Sequence, residues 1–263
     1  MSYEHEIADI AKLGKSKSTA FKDFKLSTIV GGLQAGAYVG VAIILILTLG
    51  AVAPVSVRPL IMGGTFGLAL ILVVIAGAEL FTGYNLYTAV AIERKLLSWR
   101  DALSINSFIF VANLIGAAIL VTIYWIGQGP LTHGSQAEFV QLVASKKMEL
   151  PATALIARGM LCNWLVCLAL WMARRVKGDS AKCIVIAWCL LAFIAAGFEH
   201  SVANMTVHLL ALAGPVNADI TIIGAMHNLL WVTIGNIIGG AVFVGLAYSC
   251  QANTDTTSTN DET

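Results

Sequence analysis

Two short polar clusters interrupt long apolar stretches of this chain, and they hold the residues best suited to chemistry. One cluster reads GAELFTGYN at residues 77–85, and the other reads GFEHSVAN at residues 197–204. Each contains a glycine and a carboxylate, accompanied by a threonine in the first and a histidine in the second. Hydroxyl and imidazole groups can hydrogen-bond a small solute, and imidazole can also exchange a proton with it. The clusters therefore indicate a binding or conduction site.

His200 is the strongest single candidate in these clusters. A histidine in an apolar segment is often only a hydrogen-bonded structural residue. Here Glu199 precedes it, Asn204 follows one helical turn later, and the first cluster offers Thr82. We therefore expect hydrogen-bond donors and a titratable group from both clusters to converge on one polar chamber.

Aromatic rings lie next to the polar groups in both stretches. They are Phe81, Phe193 and Phe198. One such ring on its own is more often a core or lipid-facing side chain than part of a pathway. Together with the polar groups beside them, we interpret the three rings as apolar constrictions on either side of the chamber.

The composition places these stretches in a membrane. Of 263 residues, 58% are hydrophobic and 12% are charged, and the mean hydropathy is +0.81. An all-α integral membrane protein follows, because soluble domains carry about 25% charged residues. About 20 helical residues cross a bilayer core of about 30 Å. We predict six apolar segments, at residues 28–50, 60–92, 105–126, 152–173, 183–212 and 222–249.

The second and fifth segments are too long for one straight span, and each contains a polar cluster. Glycine beside a polar group fits a discontinuous helix. Non-helical backbone is tolerated at membrane depth only where it is buried in protein or lines a water-filled path. Two broken helices therefore mark the predicted site at the middle of the membrane.

Lysine and arginine are distributed unevenly among the connecting segments. Twelve of the sixteen lie before the first span, between spans two and three, or between spans four and five. Three lie in the opposite loops, and Arg158 lies within the fourth span. By the positive-inside rule both termini face the cytoplasm. Membrane topology accounts for these cations, so they give no support for nucleic-acid binding.

The terminal segments differ from the apolar remainder. Residues 1–27 mix lysines with apolar side chains such as Ile7 and Ile10, which predicts an amphipathic helix on the inner membrane surface, with a partly disordered tail as the alternative. They lack the short apolar region and cleavage site of a signal peptide. Residues 250–263 are polar and threonine-rich, which predicts a disordered cytoplasmic tail. Residues 28–249 then form a single transmembrane channel domain.

An internal repeat relates the two halves of this domain. The segment NLIGA reappears as NIIGG 123 residues later, and Gly36 at the start of the first span has a counterpart at the same spacing in Gly159. The carboxylates of the two polar clusters are 120 residues apart. Three spans per half is an odd number, so the second half enters the bilayer from the opposite side. We predict an inverted 3+3 repeat of residues 28–126 and 152–249.

Four segments resemble the formate/nitrite transporter family of pentameric anion channels: AELFTGYN, CNWLVCLALWMA, WCLLAFIAAGFEHSVANM and HNLLWVTIGNIIGG. The resemblance extends from Leu26 to Tyr248 and is greatest to the nitrite channel branch, although formate and hydrosulfide members share much of the pattern. It implies an aquaporin-like fold with six spans per protomer, a pore through each protomer and a homopentamer in a bacterial inner membrane. Nitrite and formate are the implied substrates, and no enzymatic activity is implied.

The resemblance also implies two constrictions of the pore. Leu70 and Phe81 would form the cytoplasmic one. Val166 and Phe193 would form the periplasmic one.

Between and beside these constrictions, the resemblance assigns polar roles. His200 would be the central proton donor or charge partner, and Thr82 would hydrogen-bond substrate. Asn163 would hydrogen-bond near His200, and Glu199 would orient His200 and cap the half-helix. Lys147 would draw anions into the periplasmic vestibule, with an ordinary surface lysine as the alternative.

The cost of moving a small anion explains why a titratable group belongs at this place. Transferring a bare carboxylate into a low-dielectric medium costs on the order of tens of kcal/mol. A weak-acid anion could take a proton from His200 and cross as the neutral acid, or pass as an ion beside a transiently protonated imidazole. We expect no metal and no cofactor, because the five cysteines form no CxxC pair and are interpreted as small core residues.

Other classes of protein fit the residues less well. A neutral-solute channel of the aquaporin type shares the inverted plan, but no NPA signature lies at either break. A haem protein would have to use His200, His208 or His227. No Ser-His-Asp grouping, HExxH or phosphate-binding loop indicates an enzyme. The choice among nitrite, formate and hydrosulfide, and between passive channel and proton symport, is left open.

Overall fold

The computed structural model describes residues 3–258, with side chains described as far as Ala252, and its regular secondary structure is helical. The helices in chain order are α1 (Tyr3–Asp23), α2 (Lys25–Val52), α3 (Arg58–Ile75), α4 (Phe81–Glu93), α5 (Trp99–Ile126), α6 (Pro130–His133), α7 (Ala137–Glu149), α8 (Ala152–Arg175), α9 (Asp179–Ala195), α10 (Ser201–Ala213), α11 (Ile222–Gly240) and, after a π-helical segment (Ala241–Leu246), α12 (Ala247–Ser258). The all-α prediction is therefore confirmed.

Five helices in the described part of the chain are long and apolar enough to cross a membrane. They are α2, α3, α5, α8 and the continuous helix of residues 222–252 that begins with α11. Four of the predicted segments each lie within one of these helices, namely 28–50, 105–126, 152–173 and 222–249. The predicted segments 60–92 and 183–212 each contain two helices instead.

Each of these two segments is divided by a turn that contains a left-handed glycine. Residues 76–80 separate α3 from α4, and Gly77 there has a φ of 80°. Residues 196–200 separate α9 from α10, and Gly197 has a φ of 72°. Other residues adopt this backbone conformation at a cost of about 1–2 kcal/mol. The polar clusters of the sequence therefore coincide with the ends of helices.

Asn113 on α5 holds the first of these turns. Its side-chain amide donates to the backbone oxygens of Gly32 on α2 (2.8 Å) and Glu79 in the turn (2.9 Å). Its Oδ1 accepts the backbone N–H of Phe81 (2.9 Å). Backbone groups at a helix end have no partner within the helix. The buried amide of Asn113 supplies partners for these groups, so the turn needs no water there.

Asn236 on α11 holds the second turn in the same way. Its amide donates to the backbone oxygens of Gly159 (2.8 Å) and Glu199 (2.9 Å), and its Oδ1 accepts the N–H of Ser201 (2.8 Å). The two asparagines begin the repeated NLIGA and NIIGG segments. Both halves of the chain therefore position their polar cluster through equivalent contacts.

These contacts correct one detail of the predicted repeat. Gly36 is not the counterpart of Gly159, because the glycine that accepts from the asparagine in the first half is Gly32. The error is one helical turn, which leaves a small residue on the same face of the helix. Gly36 has a different role: a Cβ atom there would lie 1.9 Å from the carbonyl oxygen of Asn113. The absence of a side chain lets α2 and α5 pack this closely.

Helix α1 packs against α4 and α12. Ion pairs connect it to other segments, from Glu4 to Arg94, Glu6 to Arg174, Lys17 to Glu79 and Lys22 to Asp101. Ile7 and Ile10 are fully buried against the protein. The helix predicted for the N-terminal segment is thus present, and its position relative to a membrane stays a prediction.

The prediction of a disordered tail at residues 250–263 is contradicted for residues 250–258. The backbone of α12 is helical as far as Ser258, so residues 250–258 of that segment form a helix in the structure. Residues 259–263 lie outside the described residues.

Candidate functional site

Three cavities lie in a row among the helices. A cavity of about 550 Å³ borders the second turn and α7, and one of about 840 Å³ borders the first turn and α1. We call them the α7-side cavity and the α1-side cavity. A central cavity of about 10 Å³, the size of a single water molecule, lies between them. Leu70 and Leu80 line both the α1-side and central cavities, whereas Phe193 and His200 line both the central and α7-side cavities.

Three of the four predicted constriction residues border the central cavity. They are Leu70, Val166 and Phe193, which are 2%, 2% and 1% exposed. The Phe193 ring stacks at 6.0 Å from the imidazole of His200 and meets Phe66 edge-on at 5.5 Å. The lining is apolar apart from His200. A solute in the central cavity therefore leaves nearly all of its hydrating water behind.

Phe81 does not line any of the three cavities. Its ring packs edge-on against Phe110 at 5.1 Å. Its backbone N–H is held by Asn113, which lies on the same helix as Phe110, so the ring points toward α5. Leu80, one residue earlier, lines the cavities instead. Sequence reasoning missed Leu80, because neighbouring residues at the start of a helix differ in direction by about 100°.

His200 is placed by both polar clusters. Its Nε2 lies 3.0 Å from Thr82 Oγ1, so the two predicted residues meet. Its Nδ1 accepts the backbone N–H of Ala203 (3.0 Å) and thereby caps α10. Because Nδ1 is an acceptor, the hydrogen of the neutral imidazole is on Nε2 and is donated to Thr82. The imidazole is thus fixed in one tautomer and one orientation.

Asn163 acts on this pair from α8. Its amide donates to the backbone oxygens of Thr82 (3.1 Å) and Asn236 (2.6 Å). Cys167, one turn further along α8, also contacts the Thr82 oxygen, with its Sγ at 3.4 Å. Asn163 therefore contacts Thr82, the residue whose hydroxyl meets His200, and it holds the backbone of α4 against α8 and α11.

Glu199 pairs with a cation rather than with His200. Lys147 Nζ lies 2.8 and 2.9 Å from its two carboxylate oxygens. Asn204 donates to the same carboxylate at 2.6 Å. The Glu199 side chain is 3% exposed and that of Lys147 is 20% exposed. Lys147 is therefore a partly buried ion-pair partner at the edge of the α7-side cavity.

The first cluster contains an equivalent group that sequence reasoning did not predict. Lys17 on α1 forms an ion pair with Glu79, and Tyr84 donates its hydroxyl hydrogen to the same carboxylate at 2.9 Å. The signal was present in the spacing, because Tyr84 follows Glu79 by five residues as Asn204 follows Glu199. Each large cavity thus has a lysine–carboxylate pair beside the turn.

Cations outnumber carboxylates around both large cavities. Lys146, Lys147 and Arg158 line the α7-side cavity with Glu149 and Glu199. The α1-side cavity has Lys17, Arg174, Lys177 and Lys182 with Glu79. An excess of positive charge around a concave surface raises the local concentration of anions. Among the described residues, no three His, Cys, Asp or Glu side chains form a group that could hold a metal ion.

Comparison with known proteins adds to this geometry. The family model described as "Formate/nitrite transporter" matches residues 5–250. The nitrite transporter NirC of Salmonella typhimurium is 49% identical over 219 residues, which cover 83% of this chain and 81% of that protein. A solved structure of an ion channel of the FNT family superimposes with a TM-score of 0.90 at 44% identity, over 94% of this chain and 98% of that one. A pentameric formate channel with formate bound gives a TM-score of 0.76 at 29% identity, over 85% and 96% of the chains.

Proposed function

Because the chain belongs to the formate/nitrite transporter family, we propose that it is a transmembrane channel or transporter for small monovalent weak-acid anions, with nitrite as its principal substrate. The observation that carries the proposal is the row of cavities, in which two cation-rich cavities flank a small apolar one bordered by His200. A relative that is 49% identical and is named a nitrite transporter favours nitrite. No enzymatic step is part of this function.

The proposal includes a membrane arrangement. Six spans form an inverted 3+3 repeat with an aquaporin-like plan, and the second and fifth spans are broken. The equivalent asparagine contacts at the two turns support the repeat. Both termini face the cytoplasm of a bacterial inner membrane, so the α7-side cavity opens to the periplasm. Five protomers assemble, as in the pentameric formate channel to which this chain is similar.

In this proposal the large cavities concentrate the anion, and the anion is neutralised by a proton where it enters the dry central cavity. The excess of cations draws the anion into either large cavity. The central cavity is too small and too apolar for a hydrated ion, since a bare charge there costs on the order of tens of kcal/mol. A weak acid crosses it with a proton. Leu70 and Leu80 on one side and Val166 and Phe193 on the other exclude water and larger solutes.

His200 exchanges that proton in this proposal. It is the titratable group on the central cavity, and the Thr82 hydroxyl that accepts from its Nε2 keeps a hydrogen of its own to offer an anion. Asn163 positions Thr82. Glu199 and Asn204 hold Lys147 at the entrance, where the ion pair screens the carboxylate from an arriving anion.

Formate is the second candidate substrate. The similarity to a formate channel with formate bound, over 85% of this chain, favours it. Nitrite and formate have the same charge and nearly the same size, so the same constrictions accept both.

Anion flux into proteoliposomes tests the proposal. We would compare nitrite, formate, hydrosulfide and chloride at pH 5 and pH 7, for the wild type and for His200→Asn. Asparagine retains a side-chain oxygen able to cap α10 but lacks the titratable ring. We expect nitrite flux to exceed that of chloride, and its pH dependence to be lost in the variant. His227→Asn is the matched control, because His227 lines none of the three cavities and its Nε2 contacts a backbone oxygen, that of Leu150. An unchanged pH dependence in His200→Asn would remove His200 from the mechanism.

A further inference from the structure

His208 is a buried histidine that the proposed pathway does not use. It lies two turns after His200 on α10, is 2% exposed and lines none of the three cavities. Its Nε2 lies 3.0 Å from Asn228 Oδ1, and its Nδ1 has no hydrogen-bond partner among the described residues. Burying such a ring is costly when one nitrogen goes unpaired. The bond to Asn228 is thus the polar contact that accounts for its position.

That bond determines how Asn228 is oriented. Asn228 is fully buried on α11, and its Nδ2 donates to the backbone oxygen of Lys147 (2.9 Å). Its Oδ1 must then be the acceptor for both Asn204 Nδ2 (2.8 Å) and His208. It follows that His208 Nε2 carries a hydrogen. Rotating the Asn228 amide by half a turn would place its NH2 group against two donors, so His208 helps to fix the orientation that is observed.

The contacts of Asn228 close a ring that includes an ion pair at the anion path. Asn204 donates to Glu199 at 2.6 Å as well as to Asn228. Glu199 binds the ammonium group of Lys147, and Asn228 binds the backbone oxygen of the same lysine. Both ends of Lys147 are therefore held by one connected group of side chains. Lys147, Glu199 and Asn204 line the α7-side cavity.

We propose that His208 is a positioning residue for the anion entrance. It does not touch the anion, but through Asn228 and Asn204 it holds Lys147 and Glu199 in their ion pair. This inference rests on the proposed function of the α7-side cavity as an entrance for anions. Without the His208 donor, Asn228 keeps only its bonds with Asn204 and with the Lys147 backbone oxygen, so Lys147 is held less firmly in the position from which it acts on an entering anion.

A labelling experiment tests the positioning without any transport. An amine-acylating reagent is applied to the full-length protein in lipid vesicles, and mass spectrometry gives the ratio of modified Lys147 to modified Lys146, its exposed neighbour. His208→Leu should raise this ratio about threefold to tenfold, the factor that one neutral hydrogen bond supplies. His208→Gln keeps a donor near Nε2 and should restore the wild-type ratio. His227→Leu, which removes the histidine next to Asn228, should leave it unchanged. An unchanged ratio in His208→Leu overturns the proposal.

Nitrite flux then measures the consequence for entry. The half-saturating nitrite concentration should rise about threefold to tenfold in His208→Leu, while the maximal flux stays within about twofold, because entry rather than the central step is affected. His208→Gln should behave as the wild type. A half-saturating concentration that does not change also contradicts the proposal. If the wild type carries no nitrite at all, the proposed function fails, and the labelling ratio still decides the role of His208.

Discussion

Asn113 offers a direct test of how the first helix break is held. Replacing it with alanine removes the side chain that donates to the oxygens of Gly32 and Glu79 and accepts from the N–H of Phe81. The Gly32 oxygen lies within α2 and keeps its helical N–H partner. The Glu79 oxygen and the Phe81 N–H have no helical partner, because one lies in the turn and the other begins α4.

The expected loss of stability follows from those two groups. A buried backbone group left without a partner costs about 1–3 kcal/mol, so the pair costs about 2–6 kcal/mol. For a chain of this length about 2–4 °C of melting temperature corresponds to 1 kcal/mol, and a central value of about 4 kcal/mol lowers the melting temperature by about 8–16 °C. Asn236→Ala should cause a loss of similar size, because its three bonds are equivalent.

Thermal unfolding of the purified protein in detergent, followed by tryptophan fluorescence, measures this loss. Asn106→Ala is the matched control, because Asn106 lies on the same helix and donates to the side chains of Thr88 and Asn85 rather than to the turn. We expect a decrease in melting temperature of less than about 4 °C for that variant, the scale of one neutral side-chain bond, because the contact with Asn85 is long at 3.5 Å. Equal melting temperatures for Asn113→Ala and Asn106→Ala would refute the reasoning.

Two further predictions concern the constriction and the ion pair of the α1-side cavity. Leu80→Ala should admit larger anions such as acetate in a liposome flux assay, because Leu80 lines two cavities. Phe81→Ala should still exclude acetate, because Phe81 faces α5. Equal acetate flux through both variants would contradict this assignment. Lys17→Met leaves the partly buried carboxylate of Glu79 without its cation, so it should lower the melting temperature more than Lys17→Arg. Equal melting temperatures for these two variants would show that the ion pair contributes nothing to stability.

The helix breaks could be predicted from the sequence because their signals are local. A glycine beside a carboxylate inside an apolar run indicates a turn by itself, and the predicted segments 60–92 and 183–212 end within four residues of the outer ends of their helices. His200 and Thr82 could be paired for a similar reason. Thr82 lies in the first turn of α4, and His200 immediately precedes α10. Two half-helices whose starts lie close together bring such residues into contact.

The remaining errors concern directions that local signals do not contain. Leu80 and Phe81 are both large apolar residues at the start of α4, and a contact from α5 decides which of them faces the path. The pair of Lys17 and Glu79 joins residues 62 positions apart in the chain, on helices whose packing the sequence pattern does not specify. Rotation about a helix axis and long-range pairing are set by tertiary contacts, so sequence periodicity predicts them poorly.

The cap on α10 constrains how His200 can exchange a proton. In the neutral ring Nε2 carries the hydrogen, and Nδ1 accepts the N–H of Ala203. A second hydrogen could go only to Nδ1, where it would face that N–H, so a charged ring has to give up a cap worth about 0.5–2 kcal/mol. An anion about 4 Å away attracts a charged ring by about 4 kcal/mol at an effective dielectric constant near 20. The attraction by the anion therefore outweighs the loss of the cap, and under the proposed mechanism we expect His200 to exchange a proton when substrate arrives rather than in the empty pore.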